Sequence, residues 1–336
     1  MSRSRSSAKK TVVIVATPGI LLLDIAGPAD VFSIASKEIA SQEKGYEIIL
    51  ASVTKNKHIA TKSGIRIACD ICVTDINFPI DTLLIAGVSL GSLDNIPASF
   101  FTWLTAHYPG IRRMGSVCVG AFVLAKAGLL HNKRATTHWE HCTRLQAAYP
   151  SVTVDSTPFF VRDGNIYTSG GVTSGMDLSL ALVEEDFGRE VALQVSRQLV
   201  LHLRRAGNQS QFSNLLPSFE LKSPLIRSIR EWLLKNLDRE IRVEYMADHV
   251  NMSPRNFARV FLKETQLTPA KFVEKLRVEV ARQYLEDTNL SAEQIAEKCG
   301  LGNLVSMRRV FIRHLQISPS FYRHAFRTTL ATGMAS

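Results

Sequence analysis

MADHVNMSPRNFARVFLKETQLTPAKF (246–272) and IAEKCGLGNLVSMRRVFIRHLQISPSFY (295–322) are two copies of one pattern. Met246-Ala247 matches Ile295-Ala296 at an offset of 49 residues. Arg259, Phe261, Leu267, Pro269 and Phe272 match Arg309, Phe311, Ile317, Pro319 and Tyr322 at an offset of 50. One extra residue therefore sits in the second copy's turn, within CGLGN. Each copy reads as an amphipathic helix, a short turn and a second helix, which is helix-turn-helix anatomy stated twice, over about 243–263 and 291–313. Ser253-Pro254, Thr268-Pro269 and Ser318-Pro319 each place a capping hydroxyl before a proline at the first helical position. Ser291 with Gln294 forms a capping box.

The outer faces of the second helices are basic. Phe257 and Phe261 lie four residues apart and share an inward face, while Arg255, Arg259 and Lys263 share another at the same spacing. No acid occurs between Ser253 and Lys263. In the second copy Met307, Val310 and Phe311 face inward, leaving Ser306, Arg308, Arg309 and Arg313 outside. Five arginines and no acid occur from Asn303 to Arg327. A helix that only packs mixes charge signs on its solvated face. Arginine's planar fork suits guanine O6 and N7, or a phosphate. Residues 217–336 hold 19 basic and 13 acidic groups, and residues 11–216 hold 17 of each. The excess charge thus sits in the last third and in the tail MSRSRSSAKK, which points to a polyanion such as DNA. The helical pattern between the copies, residues 269–286, spans ~27 Å against ~34 Å between successive major grooves. Two readers so joined enter adjacent grooves by bending the duplex.

Residues 235–330, with the ending FIRHLQISPSFYRHAF, resemble the DNA-binding domain of AraC/XylS-type transcription regulators. The resemblance implies that Arg255, Ala258 and Arg259 reach bases from one helix, and Val305, Ser306 and Arg309 from the other. Lys263, Asn303 and Arg308 complete the expected DNA-contacting set. Ala258 and Val305 suit thymine methyl groups. Leu301 departs from the family's usual phenylalanine after the glycine, a core substitution.

Upstream, the period changes. TVVIVA (11–16), YEIILAS (46–52), DTLLIAG (81–87) and RRMGSV (112–117) read as buried parallel strands. Helical patterns follow or separate them at 28–40, 96–108 and 120–130. SVTVD, FFVRDG and NIYTSG, between 151 and 170, add further strands, the last two joined by a DGN turn. Residues 174–205 read as helical with an interruption near Gly188. The prediction is an α/β doubly wound domain over 11–205, a polar linker at 206–218, and an all-α double helix-turn-helix domain over 219–330. Two domains suit 336 residues. Apolar residues at 46% and charged residues at 21% exclude disorder. No apolar run approaches the ~18–20 residues of a membrane span. The tail lacks a signal-like apolar stretch, and five cysteines are too few and odd in number for a disulfide framework. A cytoplasmic protein is therefore expected, located at the nucleoid when bound to DNA.

GSVCVGAF (115–122) joins a strand to a helix through Cys118, with Gly120 two residues on. A thiol at such an elbow sits over a helix N-terminus, which is expected to lower its pKa. His138 in RATTHWEH and Asp24 in LLLDIAGPADVF are the candidates for an activating set. Cys69 and Cys72 have a redox-like spacing without a second pair, so a half-buried strand or turn is the expected reading. His138, His141 and Cys142 share metal-like spacing, but packing and surface roles on one helix are expected. There is no P-loop or GxGxxG, and neither a metal nor a cofactor is expected.

Residues 11–190 resemble the intracellular-protease/isonitrile-hydratase superfamily, related to class I glutamine amidotransferases and flavodoxin-like in fold. The resemblance puts Cys118 on the elbow cysteine, His138 on the distal histidine, and Asp24 where enzymes carry a glutamate one methylene longer. AGV at 86–88 replaces a double glycine beside the oxyanion site. A retained pocket without turnover is implied, formed by Asp24, Gly87, Cys118, Val119 and His138. The chain as a whole, including GGVTSGMDLSLALVEEDFGRE (170–190) and NQSQFS (208–213), is similar to the GlxA-type branch of AraC-family regulators. That implies a regulator, of activator type, responding to an amino acid or quaternary amine. Its expected partners are double-stranded operator DNA, the metabolite, RNA polymerase and a second copy of itself. The competing reading is a cysteine-dependent hydratase, amidase or deglycase fused to a DNA-binding module.

Overall fold

The computed structural model describes residues 9–39, 44–213, 215–216 and 223–327. Most of the basic N-terminal tail, part of the segment read as a linker and the last residues of the 219–330 span lie outside that set. The chain divides into two units, the first running to Arg205 and the second starting at Ala206.

In the first unit, strand β1 (Lys10–Ala16) leads into helix α1 (Leu23–Glu38) and strand β2 (Tyr46–Ser52). A short hairpin, β3 (His58–Ala60) and β4 (Arg66–Ala68), precedes β5 (Ile71–Cys72) and β6 (Thr82–Ile85). Then follow α2 (Ala98–His107), β7 (Arg113–Ser116), α3 (Ala121–Lys126), β8 (Arg134–Ala135), α4 (Cys142–Ala148) and β9 (Thr153–Val154). Strands β10 (Phe160–Asp163) and β11 (Ile166–Ser169) and helix α5 (Ser174–Gln198) complete it. The main sheet has the order β10-β11-β7-β6-β1-β2-β5, parallel except for β10 against β11.

The expected doubly wound architecture is present, and β1 shows why its sequence is continuously apolar. Val13 and Val15 pack into a core with Phe100 and Leu104 of α2 and Val123 of α3. Val12 and Ile14 face the other way, onto Val31 and Phe32 of α1 and Leu178 and Leu182 of α5. Both faces of the strand are covered, so neither set of alternate positions can be polar. Helix α5 breaks at Gly188, where φ is 84°. The hairpin β3–β4, with three residues in each strand, was not legible in the sequence, whereas β5 falls in the segment read there as a strand or turn. Cys72 lies on β5, and it and Cys69 are both buried free thiols, as a half-buried strand edge requires.

The second unit contains α6 (Pro224–Leu234), α7 (Val243–His249), α8 (Pro254–Thr265), α9 (Pro269–Asp287), α10 (Ala292–Lys298), α11 (Leu304–Leu315) and α12 (Pro319–Phe326). The repeat is visible in the backbone: α8 and α11 are both 12 residues long and both end at a glutamine in the left-handed region, Gln266 and Gln316. Their starts are capped by Ser253 and Asn303, whose side chains accept from the Asn256 and Ser306 backbone N–H groups. The extra residue of the second turn is accommodated by Gly300 and Gly302, both at positive φ. At Gly300 a Cβ would collide with the Leu237 carbonyl oxygen, so only glycine fits. Helix α9 is the shared spine. Phe272, Val273 and Leu276 complete the first core around Phe257 and Phe261, and Val278, Ala281 and Leu285 complete the second around Met307 and Phe311.

The polar stretch from 206 onward differs from its compositional reading as a linker. Leu215 packs into the second core and Leu216 into the first. Arg282 of α9 donates to the carbonyls of Ser213 (2.6 Å) and Gln211 (3.1 Å), and Glu279 accepts from the Leu216 N–H at 2.8 Å. Composition misled because the partners that bury these residues lie some seventy positions away. A fragment beginning at residue 206 should therefore be more stable than one beginning at 217 by ~2–3 kcal/mol, two leucine burials being partly offset by the cost of ordering the strap. Urea unfolding of the two fragments measures this; equal midpoints would show that the strap contributes nothing.

Candidate functional site

In an open parallel sheet, ligands collect outside the carboxyl ends of the strands where the strand order reverses. Here β1 is that point, since β2 lies on one side of it and β6 on the other. The segments leaving β1, β6 and β7 converge on a cavity of about 660 Å³. It is lined by Asp24 and the Pro18–Leu21 turn after β1, Gly87 after β6, and Cys118 and Val119 after β7. His138, following β8, closes one side. All five residues read from the sequence as ligand-binding line this one cavity.

Cys118 sits at the elbow with φ 55°, in the left-handed region that costs a non-glycine residue ~1–2 kcal/mol. Two bonds hold it there. Its N–H donates to the Gly170 carbonyl at 3.0 Å, and its own carbonyl accepts from the Thr137 hydroxyl at 2.7 Å. Thr137 thereby ties the His138 segment to the elbow. The thiol's chemistry differs from the expectation of a lowered pKa. Burial pushes it up to about 12, and the nearby Asp24 carboxylate adds to the rise, outweighing the backbone N–H groups of Val119 and Val172.

The other two members of the set are also configured away from nucleophile activation. The Glu140 backbone N–H donates to His138 Nδ1 at 3.3 Å, which leaves the proton of the neutral ring on Nε2. Burial lowers the His138 pKa, and neighbouring His141 lowers it further. Asp24 is 1% exposed, and burial raises its carboxyl to about 7 despite a hydrogen bond from the Gly87 N–H. The close approach of Gly87 depends on its lacking a side chain, since a Cβ there would run into Asp24 Oδ2. Asp24 Oδ1 is buried with no hydrogen-bond partner, a state that costs ~1–3 kcal/mol.

Among the lining residues that the sequence reading did not assign to the site, four are ionisable: Lys62, Glu140, His141 and Arg144. Lys62 belongs to the turn of the unforeseen β3–β4 hairpin. His138 and His141 do not lie on a common helix face with packing roles; His138 caps a short 3-10 turn that ends at His141, ahead of α4. Among the described residues no group of three or more His, Cys, Asp or Glu side chains is placed to hold a metal ion.

The first unit matches the DJ-1/PfpI family over residues 9–185, more than half of the sequence. The chain belongs to the DJ-1/PfpI family. Residues 246–325 match the helix-turn-helix domain model, so this is a family member joined to a DNA-binding type of module. The HTH-type transcriptional regulator GbdR of Pseudomonas aeruginosa is 30% identical over 263 residues, covering 78% of this chain and 71% of that protein. The HTH-type transcriptional regulator GlxA of Rhizobium meliloti is 28% identical over 266 residues, covering 79% and 81%. DJ-1beta of Drosophila melanogaster shares the fold of the first unit, with a TM-score of 0.50, 20% identity, and coverage of 58% of this chain and 99% of that one.

In the helix-turn-helix unit of this DJ-1/PfpI member, Arg255, Arg259 and Lys263 are exposed on α8 and Ala258 is half-buried between them. On α11, Asn303, Arg308 and Arg309 are exposed and Ser306 is half-buried. Val305 is 66% exposed, an apolar residue left uncovered on a basic face among the described residues. Asn256 is a contributor the sequence reading missed: its Oδ1 accepts from Arg259 Nη2 at 2.8 Å and fixes that guanidinium one turn along the helix. Arg313, grouped with the outer arginines by helical spacing, is instead paired with Glu274 of α9 at 2.9 Å. His314 reaches the same carboxylate at 2.7 Å. No helix among the described residues is long and apolar enough to cross a membrane.

Proposed function

We propose that the protein is a cytoplasmic, sequence-specific DNA-binding transcription regulator, of activator type, that responds to a small metabolite bound beside Cys118. The observation that carries the DNA-binding part is the pair of 12-residue helices, α8 and α11, held by one spine and presenting exposed arginines on acid-free faces. Arg255, Ala258, Arg259 and Lys263 would serve one major groove, and Asn303, Val305, Ser306, Arg308 and Arg309 the next. A second copy of the chain and RNA polymerase are the further partners this role requires. Mapping the genomic sites bound by the protein tests the reading. Enrichment of one recurrent sequence upstream of a small gene set is expected, whereas uniform binding would make it an architectural protein.

The metabolite part rests on the cavity and on the state of its groups. A thiol held near 12 and a histidine whose Nδ1 is already occupied are suited to lining a binding site and poorly suited to attack. A regulator must also hold its effector long enough to shift a conformational equilibrium. Cys118→Ser is therefore expected to leave operator affinity unchanged and to weaken the effector response several-fold. Electrophoretic mobility shifts with and without effector measure both. Steady turnover by the wild type that the variant lacks would instead make the protein an enzyme.

A further inference from the structure

Taking the cavity as the effector site, as proposed above, one side chain of its lining narrows what it can hold. Asp24 Oδ1 is the buried acceptor left without a hydrogen-bond donor, and Asp24 lines the cavity. The groups facing it from neighbouring elements do not supply that donor. The Gly87 N–H serves the carboxylate, Cys118 is a protonated thiol and a poor donor, and the Nε2–H of His138 makes no bond to Oδ1. The missing partner is a donor brought in by the ligand.

The lining also separates the kinds of cation that could bring it. Quaternary ammonium groups carry no N–H and are held by aromatic faces. Among the described residues no Phe, Tyr or Trp lines this cavity, whose apolar part is aliphatic, from Ile20, Leu21, Val88, Leu90 and Val119. A trimethylated nitrogen would leave Oδ1 as unpaired as it is in the free protein. A primary or secondary ammonium, or a guanidinium, donates to it directly and supplies the opposite charge. Elsewhere in the lining, Lys62 and Arg144 are exposed cations that outnumber the single further acid, Glu140. They suit a carboxylate at the other end of the ligand.

We infer that the cavity takes a zwitterion of the amino-acid class, with its N–H-bearing cation against Asp24 and its carboxylate toward Lys62 and Arg144, and that it discriminates against N,N,N-trimethylated analogues. Such a cation must compete with the proton that burial favours on Asp24 up to about pH 7. Burial lowers the pKa of His138 and His141 and raises that of Cys118, so these three stay neutral more readily than free side chains. Asp24, held near 7, takes up its proton between pH 8 and pH 6, so affinity should fall about tenfold across that range.

The test titrates the full-length protein calorimetrically with each of the twenty common amino acids, and then with the N,N,N-trimethyl and deaminated analogues of the tightest binder. The expected result is binding by at least one amino acid, at least tenfold weaker binding of both analogues, and at least a tenfold loss in Asp24→Asn. A trimethylated analogue that binds as tightly as its parent overturns the inference without using any variant, so a folding defect in Asp24→Asn cannot mask the answer. If no amino acid binds but a betaine, a sugar or a simple carboxylate does and alters operator binding, the effector reading stands and the zwitterion inference falls. If no small molecule of any of these classes binds, both fall, and operator binding measured separately remains as the test of the DNA-binding reading.

Discussion

Replacing both Arg259 and Arg309 with alanine should weaken binding to the cognate site by ~2–6 kcal/mol, with ~1–3 kcal/mol from each arginine. The two contributions should add, because Arg259 lies on α8 and Arg309 on α11, in different helix-turn-helix copies. Fluorescence-anisotropy titrations against the cognate duplex and a scrambled one measure the effect. Base readers lose affinity on the cognate site and little on the scrambled one; equal losses on both would reduce the arginines to phosphate contacts. Arg259 is already fixed by Asn256, so Asn256→Ala should produce a smaller loss confined to the first half of the site. Helix α9, at 19 residues, is ~28 Å long and still falls short of the ~34 Å groove repeat. The complex should therefore be bent, and a straight duplex in a DNA-bending assay would contradict the two-groove arrangement.

The first unit should lose stability as pH rises from about 4 to about 7, by ~4 kcal/mol at ~1.4 kcal/mol per pH unit, on account of Asp24. The folded protein keeps the Asp24 proton up to about pH 7, whereas the unfolded chain releases it near the ordinary carboxyl value. Between those limits the folded state binds more protons, so stability falls with pH; above about pH 7 both states are ionised and this contribution is flat. Asp24→Asn removes the titration. Denaturant unfolding at pH 4.5, 6 and 7.5, followed by the fluorescence of Trp103 and Trp139, should show wild type and variant diverging as pH rises. Parallel profiles would show that Asp24 is not held as a buried acid. The divergence also bears on the proposed ligand, because a cation seated against Asp24 would recover the stability forgone there.

What was legible in the sequence was local. The offsets of 49 and 50 residues, the caps at Ser253, Thr268, Ser291 and Ser318, and the acid-free runs beside Arg259 and Arg309 are short-range patterns. Helix periodicity and capping need only a few neighbouring residues, so they survive reading in one dimension. The apolar runs of β1, β2, β6 and β7 likewise announced a sheet buried on both faces. The resemblance of GSVCVGAF and TTH to known elbows brought Cys118, His138 and Asp24 together before their surroundings were known.

Tertiary structure decided what depends on distant chain. It packed Leu215 and Leu216 onto α9, set Arg313 against Glu274, and brought Lys62 and Arg144 to the cavity. It also reversed the expected chemistry of Cys118. A helix start lowers a thiol's pKa by local dipoles that can be read from the elbow alone, whereas burial raises it according to how much of the remaining fold covers the sulfur. The sequence by itself placed Cys118, His138 and Asp24 at one site and marked the basic outer faces of α8 and α11. Desolvation, a property of the whole packed unit, decided the protonation of Cys118 and Asp24.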